Sequence, residues 1–263
     1  MPLLEVKDMS HSFGGLKAVS NYNLSLEPSQ ISGLIGPNGA GKTTIFNLIT
    51  GIYKPDEGEV RLAGTNVVGR RSNQIAALGI GRTFQEMRLW RHMTVLEHVK
   101  MARYSKLTYG LWGAFLDTPR RSREEAESEA KAMELLQLLG IDHLADQLVV
   151  SLPYGAQRRV EMARALAIEP QVLFLDEPTV GMTPEELEQI MEVIRTIHRK
   201  LGLAIFLIEH RLKFVMELCE QIQCLVFGAV SYTHLTLPTT SALCRSRWGA
   251  CHYNRGGGGG GGG

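Results

Sequence analysis

The sequence predicts an α/β fold, a largely parallel sheet with helices between its strands and a helical section inserted into it. Three features predict this. Residues 31–35 form an apolar run that enters a glycine-rich turn and then a segment of helical period. Residues 172–175 and 203–208 are short, almost purely apolar runs, the composition of strands covered on both faces. From about residue 85 to residue 150, strand patterns stop and helical ones take over.

Taken in order, residues 3–6 and 24–26 read as strands ahead of the one at 31–35. After Lys42, the positions Ile45, Leu48 and Ile49 recur at helical spacing, and Gly51 with Pro55 beyond it ends that helix. Residues 59–62 and 80–84 read as further strands. In the helical section, Ser122 three residues before Glu125 fits a capping box, and the helix it opens stops at Gly140. Residues 157–168 form a basic-faced helix ended by Glu169-Pro170. Thr183, Pro184 and Glu186 supply an N-cap, a proline at the first helical position and a glutamate at the third, opening a helix that runs through Lys200. These elements divide the chain into a single domain over 1–228, with its core at 1–85 and 156–228 and a helical subdomain at 86–155.

Composition changes near the end. From Gln221 onward there is no Asp or Glu, and the chain finishes in eight glycines. Polyglycine cannot offset its conformational entropy by burial. Residues 229–263 therefore read as disordered, either a genuine flexible tail or a non-native, out-of-frame or adapter-derived extension.

Bulk properties narrow the function classes. A formal net charge of +1 over 263 residues gives no general pull toward nucleic acid or anionic lipid. No apolar run approaches the roughly 18 residues that a membrane span needs, and the opening MPLLEVKDMS is not a secretory signal. Membrane association is expected only through a partner. Four cysteines, Cys219, Cys224, Cys244 and Cys251, make neither a CxxC pair nor a disulfide frame, and a reducing cytosol suits them.

The chemistry begins at the glycine turn. Gly36-Pro37-Asn38-Gly39-Ala40-Gly41-Lys42-Thr43 satisfies G-x-x-x-x-G-K-[ST], with Thr44 next in line. The glycines let backbone N–H groups converge on phosphate oxygens, and the helix beginning near Lys42 adds its positive end. Lys42 is expected on the β- and γ-phosphates of a nucleotide and Thr43 on Mg²⁺. The strand at 172–175 delivers Asp176 and Glu177 at its carboxyl end, where open parallel sheets bind ligands. Asp176 is expected to hold Mg²⁺ through its water shell, and Glu177 to polarise an attacking water.

GPNGAGKTT, RTFQ ending at Gln85, LPYGAQRRVEMARAL, LFLDEP and LIEH occur in an order that resembles the motif series of ABC-type ATPases, over residues 3–228. The resemblance implies a RecA-like P-loop core with a small antiparallel β part and an inserted helical subdomain. It implies that Phe13 stacks on adenine, that Gln85 touches Mg²⁺ or the water and senses a permease, and that His210 bonds the γ-phosphate. The signature positions read Leu152-Pro153-Tyr154-Gly155-Ala156 where the commonest form is Leu-Ser-Gly-Gly-Gln. Pro153 lacks the usual hydroxyl, so the ATP contact is assigned to Gly155. Because the signature acts in trans, a head-to-tail dimer is implied, with either a second copy or a related ATPase subunit as mate.

SFGGLKAVSN, RTFQEMRLWRHMTVLEHV and the insert YGLWGAFLDTPRRSREE most resemble the insert-bearing ATPase subunit of bacterial branched-chain amino-acid importers. Urea and amide importers share much of this pattern. The implied partners are integral-membrane permease subunits, with a periplasmic binding protein engaged indirectly and no nucleic acid. The implied place is the cytoplasmic face of the bacterial inner membrane, held peripherally. Met87, Leu89 and Trp90 would receive a permease helix. A chain truncated past Gly228 that binds nucleotide without supporting transport is the competing reading.

Overall fold

The structure is a computed structural model that describes residues 1–85, 89–106 and 119–233. Among the described residues, ten strands form two sheets. The first is antiparallel, with order β2-β1-β4-β5: β1 is Leu4–Phe13, β2 Leu16–Leu26, β4 Glu57–Leu62 and β5 Thr65–Asn66. The second has order β10-β9-β3-β8-β7-β6: β3 is Ile31–Ile35, β6 Ile80–Arg82, β7 Val172–Asp176, β8 Ala204–Ile208, β9 Gln221–Val226 and β10 Ala229–Thr233. Every pair in this sheet is parallel except β9 with β10.

Strand periodicity builds two cores from one sheet. Successive side chains point to opposite faces, so β7 sends Val172 and Phe174 to one side, and Leu173 and Leu175 to the other. β8 divides likewise, with Ala204, Phe206 and Ile208 opposite Ile205 and Leu207. On the first side the sheet meets helix α1, Lys42–Ile49, and the antiparallel sheet; Phe46, Phe174 and Phe206 pack there edge-on or tilted, with centroids 4.8–5.5 Å apart. A short helix α2, Ser72–Ala77, closes that side with Ile75. The second side is covered by α5 (Tyr154–Leu166), α6 (Pro184–Leu201) and α7 (Leu212–Leu218). Helices α3 (Val95–Arg103) and α4 (Pro119–Leu138) pack on each other and on α5, adding the helical layer.

Several local expectations hold, and two that do not concern a helix cap and the end of the core. Thr183 caps α6 through a reciprocal box with Glu186, and Gly202 ends it at φ 62°. Gly140 sits at φ 67° just past α4. Ser122, expected at a cap, lies inside α4, which is already helical at Pro119. Proline suits a first turn, and Arg120–Glu124, Arg121–Glu125 and Arg123–Glu127 pair at i,i+4 across it.

The second correction concerns the end of the core. Composition predicts disorder from residue 229, yet residues 229–233 form β10, paired antiparallel with β9. Phe227 (φ 49°) and Gly228 (φ 77°) both take positive φ, as a two-residue hairpin turn requires. The expectation for 234–263 falls outside the described residues, as do Met87 and most of the insert at 109–125.

Leu89 packs against the helical core, while Trp90 is 49% exposed. The Trp90 N–H donates to His98 Nε2 at 2.9 Å, which leaves the ring proton on Nδ1, donating to the Thr94 carbonyl at 2.8 Å. His98 is fully buried, and burial holds its pKa below the ordinary imidazole value; the Thr94 bond opposes this, Arg164 adds to it and Glu97 opposes it. With the folded-state pKa depressed, the unfolded chain takes up the proton first. The stabilisation is thus present above about pH 6.5 and lost as pH falls through the folded-state value. The urea midpoint is expected to drop on acidification below about pH 6.5, and His98→Gln is expected to flatten that slope. Equal slopes in the two proteins would remove His98 from this role.

Candidate functional site

The carboxyl ends of β3, β7 and β8 lie side by side, since Leu34 pairs with Ile208 and Asp176 with Ile208. The loops that leave these three strands therefore meet at one edge. From β3 the chain enters the glycine loop. Gly41 takes φ 100°, and a Cβ there would lie 2.5 Å from the Ala18 carbonyl oxygen of β2. A Cβ on Gly36 would lie 2.3 Å from the Leu225 carbonyl oxygen of β9. Only glycine lets the loop seat this closely against two strands. Gly41 caps α1 with no side chain, so the positive end of that helix faces the loop.

Lys42 opens α1 and folds back over the loop, its Nζ donating to the carbonyls of Gly36 at 2.8 Å and Pro37 at 3.0 Å. Burial holds the ammonium below the ordinary lysine range, against the opposing pull of Glu177 and then Asp176. Since β3 and β7 flank β8 and end together, the acidic pair stands at the same edge as the lysine of the loop.

Asp176 ends β7 and is 1% exposed. Its Oδ2 accepts from Arg82 Nη2 at 3.1 Å; its Oδ1 is buried and has no hydrogen-bond partner among the described residues. Burial raises the Asp176 pKa, and the Arg82 charge opposes that rise. Arg82 comes from the end of β6 and is oriented by Asn47 and Thr50 of the α1 region, each accepting from Nη1 at 2.8 Å. Its guanidinium lies over the rings of Phe84 and Phe46, 5.1 and 5.5 Å from their centroids.

Glu177 comes directly after Asp176, in the left-handed region at φ 47° and with its N–H bonded to the Ile208 carbonyl. Such backbone costs about 1–3 kcal/mol and persists where its surroundings over-determine it. Gln85 Nε2 donates to Glu177 Oε2 at 3.0 Å. His210 lies just beyond β8 and is about half exposed, while its neighbour Glu209 is wholly buried. Glu209 Oε1 accepts from both the N–H and the hydroxyl of Thr179, and its Oε2 accepts from the His210 N–H at 3.0 Å.

Thr43, Gln85 and Asp176, the three residues read as cation ligands, line one cavity of about 790 Å³ together with Arg82 and Tyr53. Phe13 is half-exposed at the end of β1, edge-on to Tyr53 at 5.3 Å and to His11 at 4.7 Å. Gly155 is not brought to this place. It lies in the first turn of α5 beside a separate cavity of about 300 Å³, walled by Pro153, Arg159 and Glu186. The structure adds Arg82, Glu209 and Arg158, which sequence reasoning does not single out. The first stands inside the RTFQ string and the second ends an apolar strand run, signals that mark a charge beneath a site without saying what it touches.

The arrangement offers a cradle of N–H groups and an ammonium for an anion, beside an oxygen-rich edge for a cation. The ABC transporter family profile matches residues 19–180. LivG of Escherichia coli K12, a high-affinity branched-chain amino acid transport ATP-binding protein, is 42% identical over 84% of this chain and 87% of its own. The ADP conformation of MJ1267, an ATP-binding cassette of an ABC transporter, superposes with a TM-score of 0.77 at 28% identity, covering 89% of this chain and 91% of that one. The dimeric structure of MJ0796, a bacterial ABC transporter cassette, gives 0.74 at 25% identity, covering 89% and 99%.

Lys42→Ala removes the one ammonium bonded into the loop, and calorimetry is expected to find nucleotide affinity lowered at least about a hundredfold, the loss of a charged contact and its neighbours. Unchanged affinity would mean that the loop binds its anion without Lys42.

Proposed function

The chain belongs to the ABC transporter family, and on that premise we propose that it is the ATP-hydrolysing subunit of a branched-chain amino-acid importer, driving a permease made by other chains. The observation that carries the reading is that the glycine loop leaving β3 and the Asp176-Glu177 pair ending β7 stand at one edge of the sheet, with Thr43 and Asp176 lining the same cavity. In this reading Gly36, Pro37, Asn38, Gly39, Ala40, Gly41, Lys42, Thr43 and Thr44 wrap the triphosphate, and Phe13 stacks on adenine.

The residues suit Mg²⁺. Asp176 presents a buried carboxylate oxygen with no partner among the described residues, and the hydroxyl of Thr43 and the carboxamide of Gln85 line the same cavity. One carboxylate with neutral oxygens and substrate phosphates is the donor set Mg²⁺ favours. Bound there, Mg²⁺ would neutralise phosphate charge as it develops.

The chain's own groups carry the rest. Glu177 orients the attacking water and draws its proton, and Gln85 already holds that carboxylate at 3.0 Å. His210 steadies the γ-phosphate from the far side, its loop fixed by Glu209. Gly155, which lines a cavity separate from that of Thr43 and Asp176, contacts ATP bound by the mate, which makes the working unit a head-to-tail dimer; that the MJ0796 cassette is dimeric supports a dimer. Among the described residues no helix is long and apolar enough to cross a membrane. In this reading the subunit sits on the cytoplasmic face of the membrane through its permease, with Leu89 and Trp90 at the contact and a periplasmic binding protein engaged only through that permease.

Glu177→Gln is expected to keep Mg-ATP binding and lose turnover by ~10²–10⁴, about 3–5 kcal/mol of barrier. Unimpaired steady-state hydrolysis would take Glu177 out of its role. In proteoliposomes carrying the co-purified membrane subunits, ATP is expected to drive leucine, isoleucine and valine uptake. Uptake of urea or an amide in their place would reassign the cargo.

A further inference from the structure

The segment that carries Gln85 leaves the sheet after Arg82, and a side chain from a distant helix takes hold of it. Arg158, 4% exposed on α5, donates from Nη1 to the Phe84 carbonyl at 3.0 Å and from Nη2 to the Gln85 carbonyl at 2.9 Å. The rest of its guanidinium is equally committed. Nη1 also reaches Glu161 Oε2 at 2.8 Å, Nε reaches the Tyr154 hydroxyl at 3.2 Å, and the group lies over the Tyr154 ring at 5.4 Å. A planar fork that spans two successive carbonyls fixes their direction as well as their distance, which an ammonium cannot do.

We propose that Arg158 is a positioning residue: it locks the Gln85 segment to the first turns of α5 and so sets the Gln85 carboxamide against Glu177. The chain of contacts is continuous. Tyr154 and Gly155 begin the helix, Arg158 sits one turn on, its fork holds the backbone of residue 85, and Gln85 Nε2 holds Glu177 Oε2 at 3.0 Å. A shift of the α5 start, where the mate's nucleotide is read, moves the water-orienting carboxylate by way of two carbonyls. Stability alone does not explain the device. A buried ion pair such as Arg158–Glu161 is frequently no better than apolar packing of the same volume, whereas the carbonyl fork has a specific addressee. The proposal rests on the ATPase reading for its effect on turnover, and on geometry alone for its effect on the segment.

The test separates the fork from the ion pair. Glu161→Gln keeps a hydrogen-bond acceptor for Arg158 and leaves the fork in place. The double variant Arg158→Met with Glu161→Gln removes the fork without stranding a buried charge. In the full chain, the single variant is expected to retain kcat. The double variant is expected to lose about ten- to a hundredfold in kcat, the scale of a misplaced catalytic group, with KM for ATP little changed. Hydrogen exchange is expected to quicken at the amides of residues 83–85 in the double variant and stay unchanged in the interior of α6. Equal kcat losses in both variants would reduce Arg158 to a structural pair, and unchanged exchange at 83–85 would overturn the clasp. Should the unmodified chain fail to hydrolyse ATP, the ATPase reading falls, and the exchange comparison alone decides the clasp.

Discussion

The working edge of this protein depends on burying charges of opposite sign without letting them cancel. Arg82 satisfies one oxygen of Asp176 and turns Nη1 to Asn47 and Thr50. The other carboxylate oxygen is buried and has no partner among the described residues. Removing two ions from water costs several kcal/mol each, and a pair rarely recovers more than that. The packing of Phe46, Phe174 and Phe206 beneath them supplies apolar burial that tolerates the cost. The same low-polarity setting depresses Lys42 and raises Asp176. Burial thus disfavours the charge on each group, and an anion beside Lys42 and a cation beside Asp176 would relieve them.

Glu209 shows how far this logic extends beyond Lys42 and Asp176. A wholly buried carboxylate must be satisfied by donors, and the donors here are the hydroxyl and N–H of Thr179 and the N–H of His210. Thr179 lies two residues beyond Glu177, in the turn that leaves β7. One buried carboxylate therefore ties the end of β7 to the end of β8. With Glu177 N–H bonded to the Ile208 carbonyl, the two strand ends are cross-linked twice, which accounts for a non-glycine residue persisting at φ 47°.

Local order is legible in the sequence; contacts between distant segments are not. The β3–loop–α1 unit, the buried runs of β7 and β8 and the Thr183 cap emerge from period, composition and capping chemistry that lie within a few residues of one another. β1 and β2 read too short in the sequence because their alternation breaks. Register shifts between Val6 and Met9 and again around His11, with Asp8 at φ 48°, interrupt the period of two that marks a strand. β10 is hidden by composition: the loss of acidic residues after Gln221 marks the region as foreign, while Phe227-Gly228 offers a turn. Asp176, Glu177, Lys42 and Gln85 each stand in a short string from which a role can be proposed. The partners that orient them stand 94 residues away in the case of Arg82–Asp176 and 73 in that of Arg158–Gln85. No periodicity carries information over such separations.

Helix α5 joins these observations. Its first turn, at Pro153 to Gly155, borders one cavity, while Arg164 and Ala165 near its other end border the larger one beside Asp176. Pro153 gives this helix no side-chain cap, so its positive end stays available to an anion that the chain's own loop does not place there. One rigid element thus presents a binding end outward and a supporting flank inward. In the reading proposed above, a second chain would complete the site, because a helix of 13 residues cannot bend its own N-terminus round to its opposite end.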